Sequence, residues 1–194
     1  MRLGGLELAV SKTLVGGAKI ISSPHFEDDR GWFSVPYERS SLAQDGITET
    51  FVQDNHSYSK DRGTLRGIHL QMPPHEQGKL VRVLKGCIVD VVIDLRPDSP
   101  TFGQHESVIL KALGDQIWVP RGFGHAFCTL EDHTEVLYKV DSPYMPEHER
   151  SIRWDDSELG IDWPTWLTKP IMSDKDKNAA TLTEIIASIK DACS

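Results

Sequence analysis

The stretch KLVRVLKGCIVDVVIDLR, residues 79–96, consists of two β-rich runs separated by Lys85-Gly86, a pair typical of a hairpin turn. The second run alternates between two faces, as a strand does. One face carries Val89, Val91, Ile93 and Leu95, and the other carries Asp90 and Asp94. This stretch therefore predicts β structure at the centre of the chain.

The sequence on both sides continues this pattern. Between Phe51 and Tyr144, short runs rich in β-branched and aromatic residues alternate with turn residues. Such spacing is typical of a sandwich or barrel and not of βαβ units. We therefore predict a mainly β fold with a barrel core over about 46–145.

The C-terminal part has a helical pattern. Its apolar residues recur at i, i+3, i+4 and i+7, which places Leu182, Ile185, Ile186 and Ile189 on one helix face. Ser173 and Asp176 have the spacing of a capping box, so a helical flank is predicted over about 174–191. A shorter helix is predicted over Arg39–Gln44. Residues 1–194 are expected to form a single domain.

The composition excludes several classes of protein. A formal net charge of −8 without a basic stripe argues against nucleic-acid binding. No apolar run has the length of a membrane span, and the N-terminus does not resemble a secretory signal. Three cysteines without framework spacing predict reduced thiols and a cytoplasmic location.

Two segments carry the chemistry. GIHLQ (67–71), followed by Lys79 and Gly86, and GDQIWVPRGFGH (114–125) resemble the two conserved segments of the cupin superfamily, whose barrels usually bind a metal through histidines and a glutamate. Here Gln71 replaces a histidine ligand and Lys79 replaces the glutamate. An ammonium group has no lone pair to donate and repels a divalent cation. We therefore expect no metal and no other cofactor.

Without a metal, this set of side chains suits deprotonation next to a carbonyl. A neutral imidazole such as His69 can accept a proton, and the ammonium of Lys79 can stabilise the resulting enolate oxygen. Inversion at carbon also needs an acid on the opposite face. Tyr138, on another predicted strand, is the candidate.

The resemblance extends to a single family over nearly the whole range 26–176. DDRGWF (28–33), FVQDNHS (51–57), TLRGIH (64–69), QGKLVRVLKG (77–86), IWVPRGFGHAF (117–127), EVLYK (135–139), IRWDDSELGIDWP (152–164) and MSDKD (172–176) resemble the dTDP-4-dehydrorhamnose 3,5-epimerase family. The resemblance implies a cupin-type jelly roll, a homodimer, no metal, and inversion of C3 and C5 of dTDP-4-keto-6-deoxyglucose.

The resemblance also implies roles for individual residues. His69 matches the proton acceptor, Asp176 its partner, Tyr138 the proton donor and Lys79 the oxyanion stabiliser. Arg30 and Arg66 match diphosphate-binding residues, and Tyr144 matches a residue that stacks on thymine. Other substrate-contact positions are occupied by Gln53, Asn55, His125, Glu149 and Lys175, and Trp32 and Phe33 match the nucleotide site of the neighbouring subunit.

Simpler interpretations stay open for several of these residues. Asp176 fits a helix cap, Tyr138 fits a core tyrosine, and Lys79 fits an exposed strand lysine. Strict strand alternation places Arg66 and His69 on opposite faces. A bulge at Gly67 between them would reset the alternation.

Rival functions stay open as well. A single-site 3- or 5-epimerase would use the same residues, and Val35 stands where the family has a substrate-contacting glutamate, which leaves the nucleotide undetermined. A 3,4-ketoisomerase is less compatible with Lys79 and Tyr138 together. A non-enzymatic sugar-binding cupin would not need the catalytic set, and a metal-dependent oxygenase is disfavoured by Lys79 and Gln71.

Overall fold

The computed structural model describes residues 8–192, which form mainly β structure. Thirteen strands and three α-helices follow one another in the described chain: β1 (Ala9–Thr13), β2 (Lys19–Ser22), β3 (His25–Asp28), β4 (Gly31–Ser34), α1 (Arg39–Gln44), β5 (Gln53–Ser59), β6 (Leu65–Gln71), β7 (Lys79–Lys85), β8 (Cys87–Asp94), β9 (His105–Lys111), β10 (Gln116–Val119), β11 (Phe123–Thr129), β12 (Thr134–Val140), β13 (Glu149–Ser151), α2 (Asp174–Lys177) and α3 (Leu182–Ala192). Short 3₁₀ turns lie at Val15–Gly17 and Pro146–His148.

Two antiparallel sheets form the body of the protein. One contains six strands in the order β1-β2-β10-β7-β12-β5, and the other contains five in the order β13-β6-β11-β8-β9. Apolar side chains from both sheets pack between them, among them Val81, Val92, Ile117, Phe127 and Val136. The predicted jelly roll is confirmed, with two facing sheets that are not closed into a continuous barrel.

The outer faces of both sheets are also covered. Val89, Val91 and Ile93 of β8 pack outward against the C-terminal segment, where α3 contributes Leu182 and Ile189. On the other side, α1 and neighbouring residues cover part of the six-stranded sheet. Asp90 and Asp94 point the other way and are completely buried, so both faces of β8 lie inside the protein.

The local predictions were correct for some elements and wrong for others. Helix α1 occupies the predicted range Arg39–Gln44. Lys85-Gly86 does not close a hairpin, because β7 and β8 belong to different sheets and the chain crosses between the sheets at Gly86. The sheets also extend beyond the predicted core at 46–145, because β2 pairs with β10 and β13 pairs with β6.

The predicted helix over 174–191 is divided in two. Ser173 caps α2 as predicted, since its hydroxyl accepts a hydrogen bond from the Asp176 amide. Ala180 then leaves the helical path and pairs with Ile152. The Asp156 carboxylate accepts a hydrogen bond from the Leu182 amide and starts α3. Tertiary hydrogen bonds therefore interrupt a sequence that is locally helical.

Strands β3 and β4 form a separate two-stranded hairpin. Its apolar side chains are unusually exposed, with exposed fractions of 42% for Phe26, 53% for Trp32 and 64% for Phe33. Apolar groups of this size on one small element are typical of an interaction surface.

None of the helices within residues 8–192 has the length and apolar character needed to cross a membrane.

Candidate active site

A cavity of about 620 Å³ opens between the two sheets. Strands of both sheets supply its walls, and α2 lies at its mouth. A smaller cavity of about 130 Å³ adjoins it and shares His69, Lys79 and Tyr138. The two cavities together bring most of the predicted site residues to one place.

His69 lies on β6 and pairs with Asp176 of α2. The His69 Nε2 atom is 2.7 Å from Asp176 Oδ1. A carboxylate only accepts hydrogen bonds, so Nε2–H donates and Nδ1 is the ring nitrogen left to accept a proton. The Asp176 amide donates the capping hydrogen bond to Ser173, whereas the Asp176 carboxylate pairs with His69, so a role at the helix start and a role beside His69 are compatible.

The Asp176 carboxylate is held in its ionised form. Burial raises its pKa, but hydrogen bonds from His69, the Gly67 amide and Ser173 outweigh burial and leave the pKa below its usual value. An ionised partner orients the imidazole and can stabilise its protonated form.

Gly67 forms the bulge that the alternation of β6 required. The pairing of β6 with β11 shifts between His125 and Phe127, so that His125 faces His69 while Phe127 faces Arg66. Gly67 has φ +117°, and a Cβ atom there would lie 2.6 Å from the His125 carbonyl oxygen. Only glycine fits this close approach. The bulge places Arg66 and His69 on the same cavity wall.

Lys79 begins β7 and points into both cavities. The residue is only 8% exposed, and burial lowers the pKa of its ammonium group to about 8, against the attraction of Asp90 and Glu149. Within residues 8–192, no acceptor lies within hydrogen-bonding distance of Lys79 Nζ. A buried cation without a direct partner is suited to stabilise a negative charge that develops on a bound molecule.

Tyr138 lies on β12, on the sheet opposite His69. Burial raises the pKa of its hydroxyl, Glu149 acts in the same direction, and Arg66 opposes them. The phenol is therefore neutral near pH 7 and can donate a proton. The ring also packs against the core between the sheets, as the core interpretation expects, and the assignment of Tyr138 as the acid stays a prediction.

A second histidine–carboxylate pair lies on the neighbouring strands. His125 Nε2 is 2.9 Å from Asp90 Oδ2, and both side chains are buried. Sequence reasoning did not place Asp90 in the site, although an acidic residue inside an apolar strand is an indication of a buried partner. The other Asp90 oxygen has no hydrogen-bond partner in the described part of the chain.

Polar residues on the rim form a connected group. Tyr144 donates a hydrogen bond to Glu149 Oε2 at 2.8 Å, and Lys175 Nζ lies 2.8 Å from both Glu149 oxygens. Burial raises the pKa of Glu149, but Lys175, Tyr144 and His69 outweigh burial and lower it. Tyr144 and Glu149 line the smaller cavity, and Lys175 lines the larger one.

Gln53 and Asn55 lie on β5, where Gln53 Nε2 donates to Asn55 Oδ1 at 2.7 Å. Asn55 lines the smaller cavity and is directly opposite Tyr138 in the sheet. Gln53 lines neither cavity, so it contacts the site through Asn55.

Besides Gln53, three predicted residues lie outside both cavities of this chain. Arg30, Trp32 and Phe33 belong to the exposed hairpin, and the Arg30 side chain is 90% exposed. Its guanidinium pairs with Asp28 on the same hairpin. Within one subunit, these three side chains do not reach the site.

The larger cavity is also lined by residues that the sequence analysis did not assign to the site. These residues are Ser57, Thr64, Leu65, Phe127, Ile171, Met172 and Ser173. Most are apolar or small, and nothing in a single sequence separates such side chains from ordinary core residues.

The donor set around Lys79 does not resemble a metal centre. No cluster of three or more histidine, cysteine, aspartate or glutamate side chains suited to a metal occurs in the range 8–192. The position of the superfamily's glutamate ligand is taken by the Lys79 ammonium, which repels a divalent cation.

Comparison with known proteins gives one consistent result. The family model for dTDP-4-dehydrorhamnose 3,5-epimerase matches residues 12–184. The dTDP-4-dehydrorhamnose 3,5-epimerase of Sinorhizobium fredii is 40% identical over 192 residues, which cover 97% of this chain and 98% of that protein.

Two solved structures are similar over most of their length. The dTDP-4-dehydrorhamnose 3,5-epimerase of Bacillus anthracis, crystallised with TDP and PPi, is 47% identical with a TM-score of 0.88, covering 91% of this chain and 100% of that one. The dTDP-6-deoxy-D-glucose-3,5-epimerase of Legionella pneumophila, in complex with dTDP-4-keto-L-rhamnose, is 40% identical with a TM-score of 0.88, covering 94% and 97%.

Proposed function

Because the chain belongs to the dTDP-4-dehydrorhamnose 3,5-epimerase family, we propose that it is an isomerase that inverts C3 and C5 of dTDP-4-dehydro-6-deoxy-D-glucose and yields dTDP-4-dehydro-L-rhamnose. The observation that carries the proposal is the convergence of His69, Lys79 and Tyr138 on one cavity, with Asp176 bound to His69.

His69 is the proposed base. Its neutral ring removes the proton from C5 or C3, both of which are acidified by the C4 ketone. The electrons of the broken C–H bond move onto the C4 oxygen and form an enolate, while the proton stays on the imidazole. Asp176 stabilises the imidazolium, as the aspartate of a Ser-His-Asp triad stabilises the protonated histidine.

Lys79 and Tyr138 complete the proposed reaction. The buried ammonium of Lys79 stabilises the enolate oxygen, where a low dielectric strengthens the interaction. Tyr138 then delivers its proton to the carbon from the opposite face, and the C4 carbonyl re-forms. The tyrosine regains a proton from solvent, and His69 releases the one it took. The second carbon is inverted by the same sequence of steps.

We propose that no metal takes part, because a lysine occupies the ligand position. Positive charge for the diphosphate is supplied by Arg66 and Lys175 on the cavity wall. In a protein of net charge −8, such local positive charge has to be concentrated at the site.

Arg30, Trp32 and Phe33 are proposed to act in the site of a neighbouring subunit of a homodimer. Their exposure on the β3–β4 hairpin supports this assignment, since within one chain they contact neither cavity. We also infer a cytoplasmic location, which agrees with the free thiols of Cys87 and Cys128.

Nuclear magnetic resonance of dTDP-4-keto-6-deoxyglucose in deuterated water tests this proposal. We expect deuterium at both C3 and C5 of the product with the wild type, and at neither carbon with His69→Ala. Label at only one carbon would instead favour a single-site epimerase. Binding without any label would favour a non-enzymatic sugar-binding protein.

A further inference from the structure

Gln71, at the end of β6, has a role that its position in the sequence does not indicate. It stands where the superfamily has a metal-binding histidine, yet its side chain forms hydrogen bonds only with backbone groups. Its Nε2 group donates to the carbonyl oxygens of His75, at 2.5 Å, and Pro143, at 3.2 Å. Its Oε1 atom accepts from the Met145 amide at 2.7 Å. The residue is only 6% exposed.

These bonds use both N–H donors of the primary amide and one of the two acceptor positions on its oxygen. A carboxylate in the same position could accept from the Met145 amide, but it would face two carbonyl oxygens. A methionine would fill the space and make none of the three bonds. The site therefore requires glutamine for its donors and acceptor together.

The backbone groups held by Gln71 are those on either side of Tyr144. The Pro143 carbonyl precedes the tyrosine, and the Met145 amide follows it. Two further contacts hold the same segment: Gln77 Nε2 donates to the Ser142 carbonyl at 2.7 Å, and the Gly78 amide donates to Asp141 at 2.7 Å. Residues 141–145 are thus fixed to the 71–78 segment, although Tyr144 itself is half exposed.

Tyr144 lies at the edge of the smaller cavity, and Gln71 lines that cavity as well. A ring that stacks on a nucleobase gains affinity when its backbone is already in the bound position, because less conformational entropy is lost on binding. Gln71 does not need to contact the ligand to have this effect.

We propose that Gln71 is a positioning residue for nucleotide binding, which acts by holding the backbone on both sides of Tyr144. The inference rests on the proposed function, since it assumes that the site takes a nucleoside diphosphate whose base stacks on Tyr144. It assigns to Gln71 an effect on affinity and not on the chemical step, because the catalytic set of His69, Lys79 and Tyr138 is held by other contacts.

Binding of dTDP by calorimetry, together with turnover, tests the proposal in Gln71→Met. Since partial loss of base stacking on the aromatic ring weakens binding, we expect a roughly tenfold rise in the Kd for dTDP. The KM for the sugar nucleotide should rise in parallel while kcat stays within about twofold. Thr134→Val is the matched control, since it removes another buried bond from a side chain to a carbonyl, that of Thr134 to Glu131. It should lower the melting temperature without changing the Kd.

Gln71→Glu adds a pH readout that loss of folding alone would not give. The introduced carboxyl can donate one hydrogen bond to a carbonyl only when it is protonated. The ratio of the variant's Kd to that of the wild type should therefore fall as the pH is lowered from 8 to 5. This variant also serves if Gln71→Met does not fold.

Several outcomes overturn the inference. A Gln71→Met protein that binds dTDP as tightly as the wild type does contradicts it, as does one that loses kcat while keeping its affinity. A Kd ratio for Gln71→Glu that does not change with pH contradicts it as well. Failure of the wild type to bind dTDP contradicts the proposed function itself, and so is distinguishable from failure of this inference alone.

Discussion

Replacement of Lys79 by methionine should make the protein more stable and nearly inactive. Methionine has about the same length and flexibility as lysine, carries no charge and fits an apolar environment. The Lys79 ammonium is buried and has no direct partner in the described part of the chain. It is proposed to stabilise the enolate oxygen. Its charge therefore costs folding free energy, and the proposed mechanism requires it.

The size of the stability effect follows from the pKa. Burial lowers the pKa of Lys79 from 10.5 to about 8, so the unfolded chain binds this proton more tightly than the folded chain does. At about 1.4 kcal/mol per pKa unit, the free energy of unfolding below pH 8 is reduced by about 3 kcal/mol. The penalty disappears as the pH rises from about 8 to 10.5, because the folded protein then holds Lys79 neutral. At pH 7, Lys79→Met should therefore raise the free energy of unfolding by up to about 3 kcal/mol.

The activity should change in the opposite direction. Loss of one donor to a developing oxyanion typically costs about 10²–10³ in kcat. In the wild type, kcat/KM should fall about tenfold per pH unit above about 8, as Lys79 loses its proton.

Urea unfolding followed by tryptophan fluorescence, paired with deuterium exchange at pH 7, measures both effects. Lys85→Met is the matched control, since Lys85 lies exposed on the same strand. It should change neither stability nor exchange. A Lys79→Met protein that is less stable than the wild type, or that keeps its activity, would refute the account of a buried and functional charge.

Three further results are expected. Exhaustive chelation should leave turnover unchanged, and activity that is lost to EDTA and restored by one divalent ion would show that a metal is needed. His69→Ala should lower turnover by roughly 10²–10⁴, and Asp176→Asn by less, because it disturbs only the orientation of the imidazole and the stabilisation of its protonated form. Equal turnover for Asp176→Asn and the wild type would leave Asp176 without a role in catalysis. Arg30→Ala and His69→Ala proteins, each inactive alone, should regain some activity after subunit exchange, whereas proven heterodimers without activity would remove Arg30 from the partner's site.

Local sequence patterns correctly predicted the features that depend on residues close together in the chain. The alternation in β8, the range Arg39–Gln44 and the capping by Ser173 all depend on residues within one turn or strand, and the structure contains each of them. Strand alternation alone required the bulge at Gly67, because without it Arg66 and His69 would lie on opposite faces of β6 and could not line the same cavity wall.

The remaining features depend on contacts between distant residues. Lys85-Gly86 has the same turn signal whether the flanking strands pair or cross to different sheets. The helix break at Ala180 arises from pairing with Ile152, and the partner of His125 is Asp90, 35 residues away in the chain. The sequence identified Gln71 only as the replacement of a histidine metal ligand. Its three backbone hydrogen-bond partners depend on the folded chain.

In the proposed mechanism, proton removal and proton delivery occur on opposite faces of the sugar, and Tyr138→Phe separates the two steps. The substitution deletes one hydroxyl and keeps the ring that packs against the core. With His69 and Lys79 intact, the enolate can still form and be reprotonated on its original face. After incubation in deuterated water, the label in recovered substrate is compared with the label in inverted product. We predict that Tyr138→Phe labels substrate faster than it makes product, whereas the wild type carries most label in product. Equal loss of exchange and inversion in Tyr138→Phe, or loss of neither, would contradict the assignment of Tyr138 as the opposite-face acid.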